Sequence, residues 1–323
     1  MSKLNLELYQ KLYLIRAAEK GIQEHYFENE MKTPMHMSMG EEAIAVGVCQ
    51  ALKPKDQVFA SYRNHAVYLT RTGETNKFFA EIYGKITGTA KGKAGSMHLV
   101  APKMGLLGTS AIVASIIPVA VGAAFANKIK KNGKIVAVFF GDGAIDEGNF
   151  WESLNVACLM KLPILFICED NGFAVHTPAA ERHGYKSIAE IVSKFNCNVF
   201  KEDTTDAEAI YQLACRALKS VKKTKMPAFI NLKYYRYLEH VGVNEDFDAG
   251  YRSKKEFEIW YKKDPINLQR EKLLKTGVKK EKIEKLEGTI DGQVKKSIKL
   301  AKKAALAKIN VVYQDIFYEN EKK

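Results

Sequence analysis

Two apolar runs constrain this chain more than any other feature: KIVAVFF at 134–140 and LPILFICED at 162–170, each emptying into a polar, glycine-containing tip. The first tip, Gly141-Asp142-Gly143, carries a carboxylate. The second, Asn171-Gly172, carries an amide, with Asn171 29 residues after Asp142. Short runs rich in β-branched and aromatic residues and bounded by glycine read as buried strands. Between them, NFWESLNVACLM at 149–160 has the length and spacing of a helix. A strand–helix–strand unit of this size crosses over right-handed and lays its strands side by side. Ligands of open parallel sheets bind beyond the carboxyl ends of the strands, so Asp142 and Asn171 are expected to face one site.

The alternation continues along the chain. Further strands are predicted at DQVFASY (56–62), NVFKE (198–202) and PAFINLKYYRY (227–237), and helices at EEAIAVGVCQAL (41–52), SIIPVAVGAAFANKIK (115–130) and DAEAIYQLACRALKSV (206–221). This pattern predicts an α/β fold: a doubly wound, mostly parallel sheet flanked by helices, with helical extensions at both termini. Residues 1–265 are expected to form the ligand-binding domain, including an amphipathic N-terminal helix, and 266–323 a basic helical extension.

The formal charge of +13 invites a nucleic-acid reading, but the excess is local: residues 271–310 hold 12 lysines against five acidic residues. There Ile283, Leu286, Ile290, Val294 and Ile298 recur at helical spacing, so the segment reads as amphipathic helices with a solvated lysine face. No nucleic-acid-binding motif accompanies it, and no nucleic-acid partner is expected. The five cysteines are scattered through apolar runs without a CxxC pair and read as small core residues of a reducing compartment. No apolar span long enough for a membrane helix occurs, and the N-terminal helix carries Glu7, Glu19 and Glu24. A cytoplasmic, non-membrane location is the expectation.

The two tips suit one kind of ligand. Asp142 offers a hard carboxylate oxygen and Asn171 an amide oxygen. Mg²⁺ accepts such a sparse set when phosphates and water complete its octahedron. The glycine turn lets backbone approach a phosphate closely, and the following helix presents amide donors and a positive dipole end.

GDG followed by DN after 26 intervening residues resembles the thiamine diphosphate fingerprint. Around it stand HMSMGEEA (36–43), SYRNHA (61–66), GKAGSMH (92–98), IVASIIPVAVGAAFA (112–126) and YYRYLEH (234–240). With these blocks the chain is similar, from about Tyr9 to about Pro265, to the alpha subunit of the decarboxylating component of 2-oxo-acid dehydrogenase complexes. That group includes pyruvate, branched-chain 2-oxo-acid and acetoin dehydrogenases. The resemblance implies that Asp142, Asn171 and the Phe173 carbonyl ligate Mg²⁺, and that Gly143 and Ala144 offer amides to the diphosphate. Tyr62 and Arg63 would contact the diphosphate, and Ala111 and Val113 would line the aminopyrimidine and wedge the cofactor into its bent shape. His240 would sit on a loop contacting diphosphate and intermediate, with His36 and His65 on the substrate-facing wall as further catalytic residues. His98 also matches and is read as structural. Proton movements near neutral pH suit imidazoles.

The chain departs from the family at several points. Val241 follows His240 where kinase-regulated members carry Ser, Leu238-Glu239 replace the residues usual in pyruvate-type enzymes, and Ala94, Ala111 and Asp170 stand where Gly, Gly and Asn are common. In two-subunit members the glutamate acting on the aminopyrimidine comes from a beta chain. This chain is therefore expected to be half of an active site, in a heterotetramer of two alpha and two beta chains. The resemblance implies decarboxylation of a small 2-oxo acid, with the acyl unit passed to the lipoyl carrier of an acyltransferase core. The alternative is a carboligase or transketolase-like transferase subunit in a biosynthetic pathway.

Overall fold

The computed structural model describes residues 2–315. Its strands are β1 (Gln57–Ser61), β2 (Leu106–Ser110), β3 (Val136–Gly141), β4 (Ile164–Asp170), β5 (Phe173–Ala174), β6 (Thr177–Pro178), β7 (Asn198–Glu202) and β8 (Ala228–Lys233). Six of them form one parallel sheet in the order β2-β1-β3-β4-β8-β7, and β5 and β6 make a small antiparallel hairpin. The helices are α1 (Ser2–His25), α2 (Glu42–Ala51), α3 (His65–Thr72), α4 (Thr75–Ile82), α5 (Ile116–Ile129), α6 (Gly148–Leu159), α7 (Ala179–Arg182), α8 (Ile188–Val192), α9 (Ala207–Thr224), α10 (Lys254–Tyr261), α11 (Pro265–Lys275) and α12 (Lys280–Lys303).

The sheet is doubly wound, as the alternation predicts. Successive side chains of a strand point to opposite faces, and here each face has its own core. Ala137, Phe139, Leu165 and Ile167 join one core with residues of α1, α2 and α9. Val138, Phe140, Phe166 and Cys168 join the other with residues of α5 and α6. All seven residues of β4 are buried, which is why it reads as a continuous apolar run. The predicted β3–α6–β4 unit is present with its strands paired in parallel.

Two differences from the sequence reading have plain causes. Strand β2 is absent from that reading because LLGTS lies at the sheet edge, where only Leu106 is fully buried and the apolar signal is thin. Strand β8 stops at Lys233, short of the predicted Tyr237, because its partner β4 ends at Asp170, whose carbonyl takes the last bond from the Tyr234 amide at 3.0 Å.

In α5, Ala120 and Ala124 face inward, while Val119, Phe125 and Ile129 form an outward apolar stripe. At the far end of the chain, α12 places Ile283, Ile290, Val294 and Ile298 in the same core as α1. Tyr13 Oη donates to Asp291 Oδ2 at 3.2 Å, and Gln269 Nε2 donates to Asn5 Oδ1 at 2.8 Å. The basic segment is thus anchored by its apolar stripe and turns its lysines outward. Among the described residues no helix is long and apolar enough to cross a membrane.

Candidate active site

The register of β3 and β4 builds the centre of the site. Gly141 lies opposite Glu169, so the chain leaves both strands at the same level. Asp142 is 1% exposed and opens a short 3-10 turn. Its Oδ1 accepts the Asn171 amide at 3.3 Å, and its Oδ2 accepts Arg182 Nη2 at 2.6 Å. Burial and the neighbouring Asp170 push the Asp142 carboxyl up to about 6, against the pull of Arg182. Asn171 Oδ1 accepts the Phe173 amide at 2.9 Å, and its Nδ2 donates to Tyr234 Oη at 2.8 Å. A Cβ on Gly143 would come within 3.1 Å of Ala174 Cβ, so β5 crowds this turn and favours glycine.

A cavity of about 260 Å³ opens over these tips. Of the expected cofactor residues, Tyr62, Arg63, Val113, Asp142, Gly143, Ala144, Asn171, Phe173 and His240 all line it. Ala111 does not; its neighbour Ile112 does.

Arg63 is buried and joins the cavity to the loop that carries His240. Its Nη1 donates to Met37 O at 2.7 Å and its Nη2 to His240 O at 3.0 Å. Both Arg63 Nη2, at 3.5 Å, and Arg236 Nη1, at 3.4 Å, approach His240 Nδ1. A guanidinium offers only donors, so we assign Nδ1 as acceptor and place the ring proton on Nε2. Burial, followed by the charges of Arg63 and Arg236, holds His240 down to about 3. Burial and Arg63 hold His36 down to about 2. The His36 ring lies tilted at 4.4 Å from the Tyr62 ring and edge-on at 5.3 Å from that of His240, behind the cavity lining.

The structure sets His65 apart from the expected substrate wall. It is fully buried, with Nδ1 at 2.6 Å from Glu19 Oε1 and Nε2 at 2.7 Å from Ser96 Oγ. Both ring nitrogens are committed to packing between elements. His98 lies at 3.3 Å from Thr109 O, away from the cavity lining. Asp246 is bound by Arg252 Nε at 2.8 Å, and Arg252 Nη2 also donates to Leu238 O at 2.8 Å.

Several lining residues escape the sequence reading. Glu41 and Glu169 are buried carboxyls in the wall, and neither oxygen of Glu41 has a hydrogen-bond partner. Burial raises Glu41 to about 7, with Arg63 opposing. Burial and the proximity of Glu41 raise Glu169 well above the usual carboxylate range. For Glu169 the signal was a charged residue completing an apolar run, ILFICED; Glu41, ahead of the helix EAIAVGVCQA, carried none. Asp170, next to the proposed ligand Asn171, is tied to Lys233 at 2.7 Å and Asn231 at 3.0 Å.

Among the described residues no cluster of three or more His, Cys, Asp or Glu could hold a metal by itself. A single buried carboxylate beside an amide oxygen suits a cation that arrives with phosphate and water ligands.

The profile of the family described as dehydrogenase E1 component matches residues 10–310. The chain belongs to this family. It is 31% identical over 318 residues to the alpha subunit of acetoin:2,6-dichlorophenolindophenol oxidoreductase of Bacillus subtilis, covering 98% of this chain and 94% of that protein. It is also 31% identical to the alpha subunits of the pyruvate dehydrogenase E1 component of Zymomonas mobilis, over 96% of this chain and 88% of that one, and of Porphyra purpurea, over 98% and 93%. The E1 family implies thiamine diphosphate as cofactor, and the site fits it: a glycine turn for phosphate, a guanidinium beside it, and a sparse oxygen set for its cation.

The two cavity-side histidines give this E1 chain a defined acid response. A free histidine titrates near 6.5, and His36 and His240 are held below that. As pH falls from about 6.5 towards their lowered values, the unfolded chain therefore binds more protons than the folded one, and stability declines. The urea midpoint is expected to drop between pH 7 and pH 5, and to drop less in His36→Asn. Equal pH slopes in the two proteins would contradict the assignment.

Proposed function

We propose that this chain is the alpha subunit of a thiamine diphosphate-dependent 2-oxo-acid dehydrogenase, which decarboxylates a small 2-oxo acid and passes the acyl unit to a lipoyl carrier. The observation that carries the proposal is the meeting of Asp142, Asn171, Arg63 and His240 in one cavity of a chain in the dehydrogenase E1 component family.

In this reading Asp142, Asn171 and the Phe173 carbonyl hold Mg²⁺. Tyr62, Arg63 and the amides of Gly143 and Ala144 hold the diphosphate, where a planar guanidinium matches phosphate oxygens in two places at once. Val113, β-branched and stiff, wedges the cofactor, and Ile112 rather than Ala111 lines the cavity next to it. Thiamine diphosphate, when bound, supplies the electron sink for decarboxylation. The chain's own task is then proton handling and orientation. His240, neutral at pH 7 and carrying its proton on Nε2, offers that N–H as a hydrogen-bond donor beside the cavity and keeps the proton throughout. Burial, with Arg63 and Arg236, keeps the ring neutral, and the two guanidiniums aim it. His36 fixes the Tyr62 and His240 rings, and His65 joins α3 to Glu19 and Ser96 as a positioning residue.

Alpha-type chains of this family work with a beta subunit, and we propose that here it supplies the catalytic glutamate in an assembly of two alpha and two beta chains. The outward stripe of α5 meets exposed apolar residues of α6: Ile129 is 64% exposed and Leu159 77%. Contiguous apolar surface of this kind marks an interaction site. Leu159→Glu should leave the chain folded, since the side chain is exposed, yet abolish co-purification with the beta subunit. Undiminished co-purification would remove this face from the interface.

The reaction itself is tested at His240. His240→Ala should retain thiamine diphosphate binding and lower turnover by about 10²- to 10³-fold, the usual cost of removing one preorganised hydrogen-bond donor, in an assay of acyl transfer from 2-oxo acids to a lipoyl domain. Near-normal turnover would sink its catalytic role. A carbon–carbon ligation product with no transfer to the lipoyl domain would favour a carboligase instead.

A further inference from the structure

A second cavity, of about 470 Å³, opens at the opposite end of the sheet. It lies where α5, α6 and α9 finish and β3 and β4 begin, at the amino ends of strands whose carboxyl ends hold the active site. Its floor is apolar, from Ile135, Pro163 and Val221. Its wall carries Lys128, Lys131, Lys134, Lys161, Lys222 and Lys225, with no carboxylate in the lining. Among the described residues none of these lysines lies within 4.0 Å of a carboxylate.

Three of the lysines stand where a side chain is disfavoured. Lys131, Lys161 and Lys225 have φ of 50°, 50° and 60°, in the left-handed region, within two residues of the ends of α5, α6 and α9. Glycine takes such positions without a Cβ penalty, and this chain uses it at Gly73 after α3 and Gly277 after α11. The negative end of a helix dipole favours a nearby cation, which accounts for a lysine at each helix end taken separately. It does not account for three left-handed lysines converging on one cavity together with three more. Lys128 Nζ donates to the Met160 carbonyl, and the remaining five ammoniums raise a positive potential over the hollow that favours an anion.

We propose that this cavity binds a compact oligophosphate, its phosphates among the lysines and any organic part on the apolar floor. The volume falls in the range of small-molecule sites, roughly 300–1,000 Å³. Ammonium groups serve phosphate as point charges.

The test is calorimetry on the enzyme assembled with its beta subunit, titrated with ATP and with inorganic tripolyphosphate in metal-free buffer, which leaves both anions unchelated. Both are expected to bind, more weakly as salt screens the lysines. The triple variant Lys131→Gly, Lys161→Gly, Lys225→Gly should bind at least tenfold more weakly, with a thermal midpoint unchanged or raised because glycine relieves the left-handed positions. Tighter binding of ATP identifies a nucleotide as the source of the phosphates, and tighter binding of tripolyphosphate an inorganic one. Equal affinity in variant and wild type, or no binding of either anion at millimolar concentration, overturns the proposal. Thiamine diphosphate affinity in the presence of Mg²⁺ should be the same in both proteins. A parallel loss there would show that the lysines act through the active site and would likewise overturn it.

Discussion

The parallel pairing of β3 with β4 governs what this chain can do. With Gly141 opposite Glu169, Asp142 and Asn171 leave the sheet together, and an acidic and an amide oxygen share one small volume. The register is held by packing on both faces. Phe140 and Phe166 point into one core while Phe139 and Ile167 point into the other. A one-residue slip in either strand would exchange these sets between cores and part the two tips. The geometry of the site is therefore inherited from the hydrophobic alternation of two strands.

Around that centre the electrostatics are arranged by burial. Arg63, Arg236 and Arg182 are cations beside Asp142, Glu41, Glu169 and the two neutral imidazoles. Burying a charge is expensive unless it is paired, and here the pairings reach across elements: Arg182 from α7 to Asp142, Arg63 from the end of β1 to the loop at His240. The Arg63 bond ties the irregular 234–253 segment to the end of β1, and Arg252 closes that segment by binding both Asp246 and the Leu238 carbonyl. Burial, helped by the same charges that fix the loop, keeps His36 and His240 unprotonated near neutral pH, so structural order and charge state have a common origin.

Much of this was legible from residues alone because it rests on local patterns. The β3–α6–β4 unit, its two tips and the Tyr62-Arg63 pair each occupy a few consecutive positions, and the structure gathers them as the spacing implies. What was not legible depends on distant packing. Strand β2 carries little apolar signal because it is an edge. The roles of Glu41, Glu169 and Arg182 depend on what each faces across the cavity, which no local period encodes. His65 looks in sequence like His36 and His240, a histidine inside a matching block. Only the positions of Glu19 and Ser96, 46 and 31 residues away, show both its nitrogens spent on packing.

The central claim is that Asp142 is the charged anchor of a magnesium-borne diphosphate. Calorimetric titration of the assembled enzyme with thiamine diphosphate in the presence of Mg²⁺, comparing wild type with Asp142→Ala, tests it most directly. Losing a group that only supports a metal ligand costs about 10- to 100-fold in affinity. Removing the sole charged ligand should exceed the upper figure, while the variant keeps its fold by far-ultraviolet circular dichroism. Wild-type affinity in a folded Asp142→Ala enzyme would contradict the account.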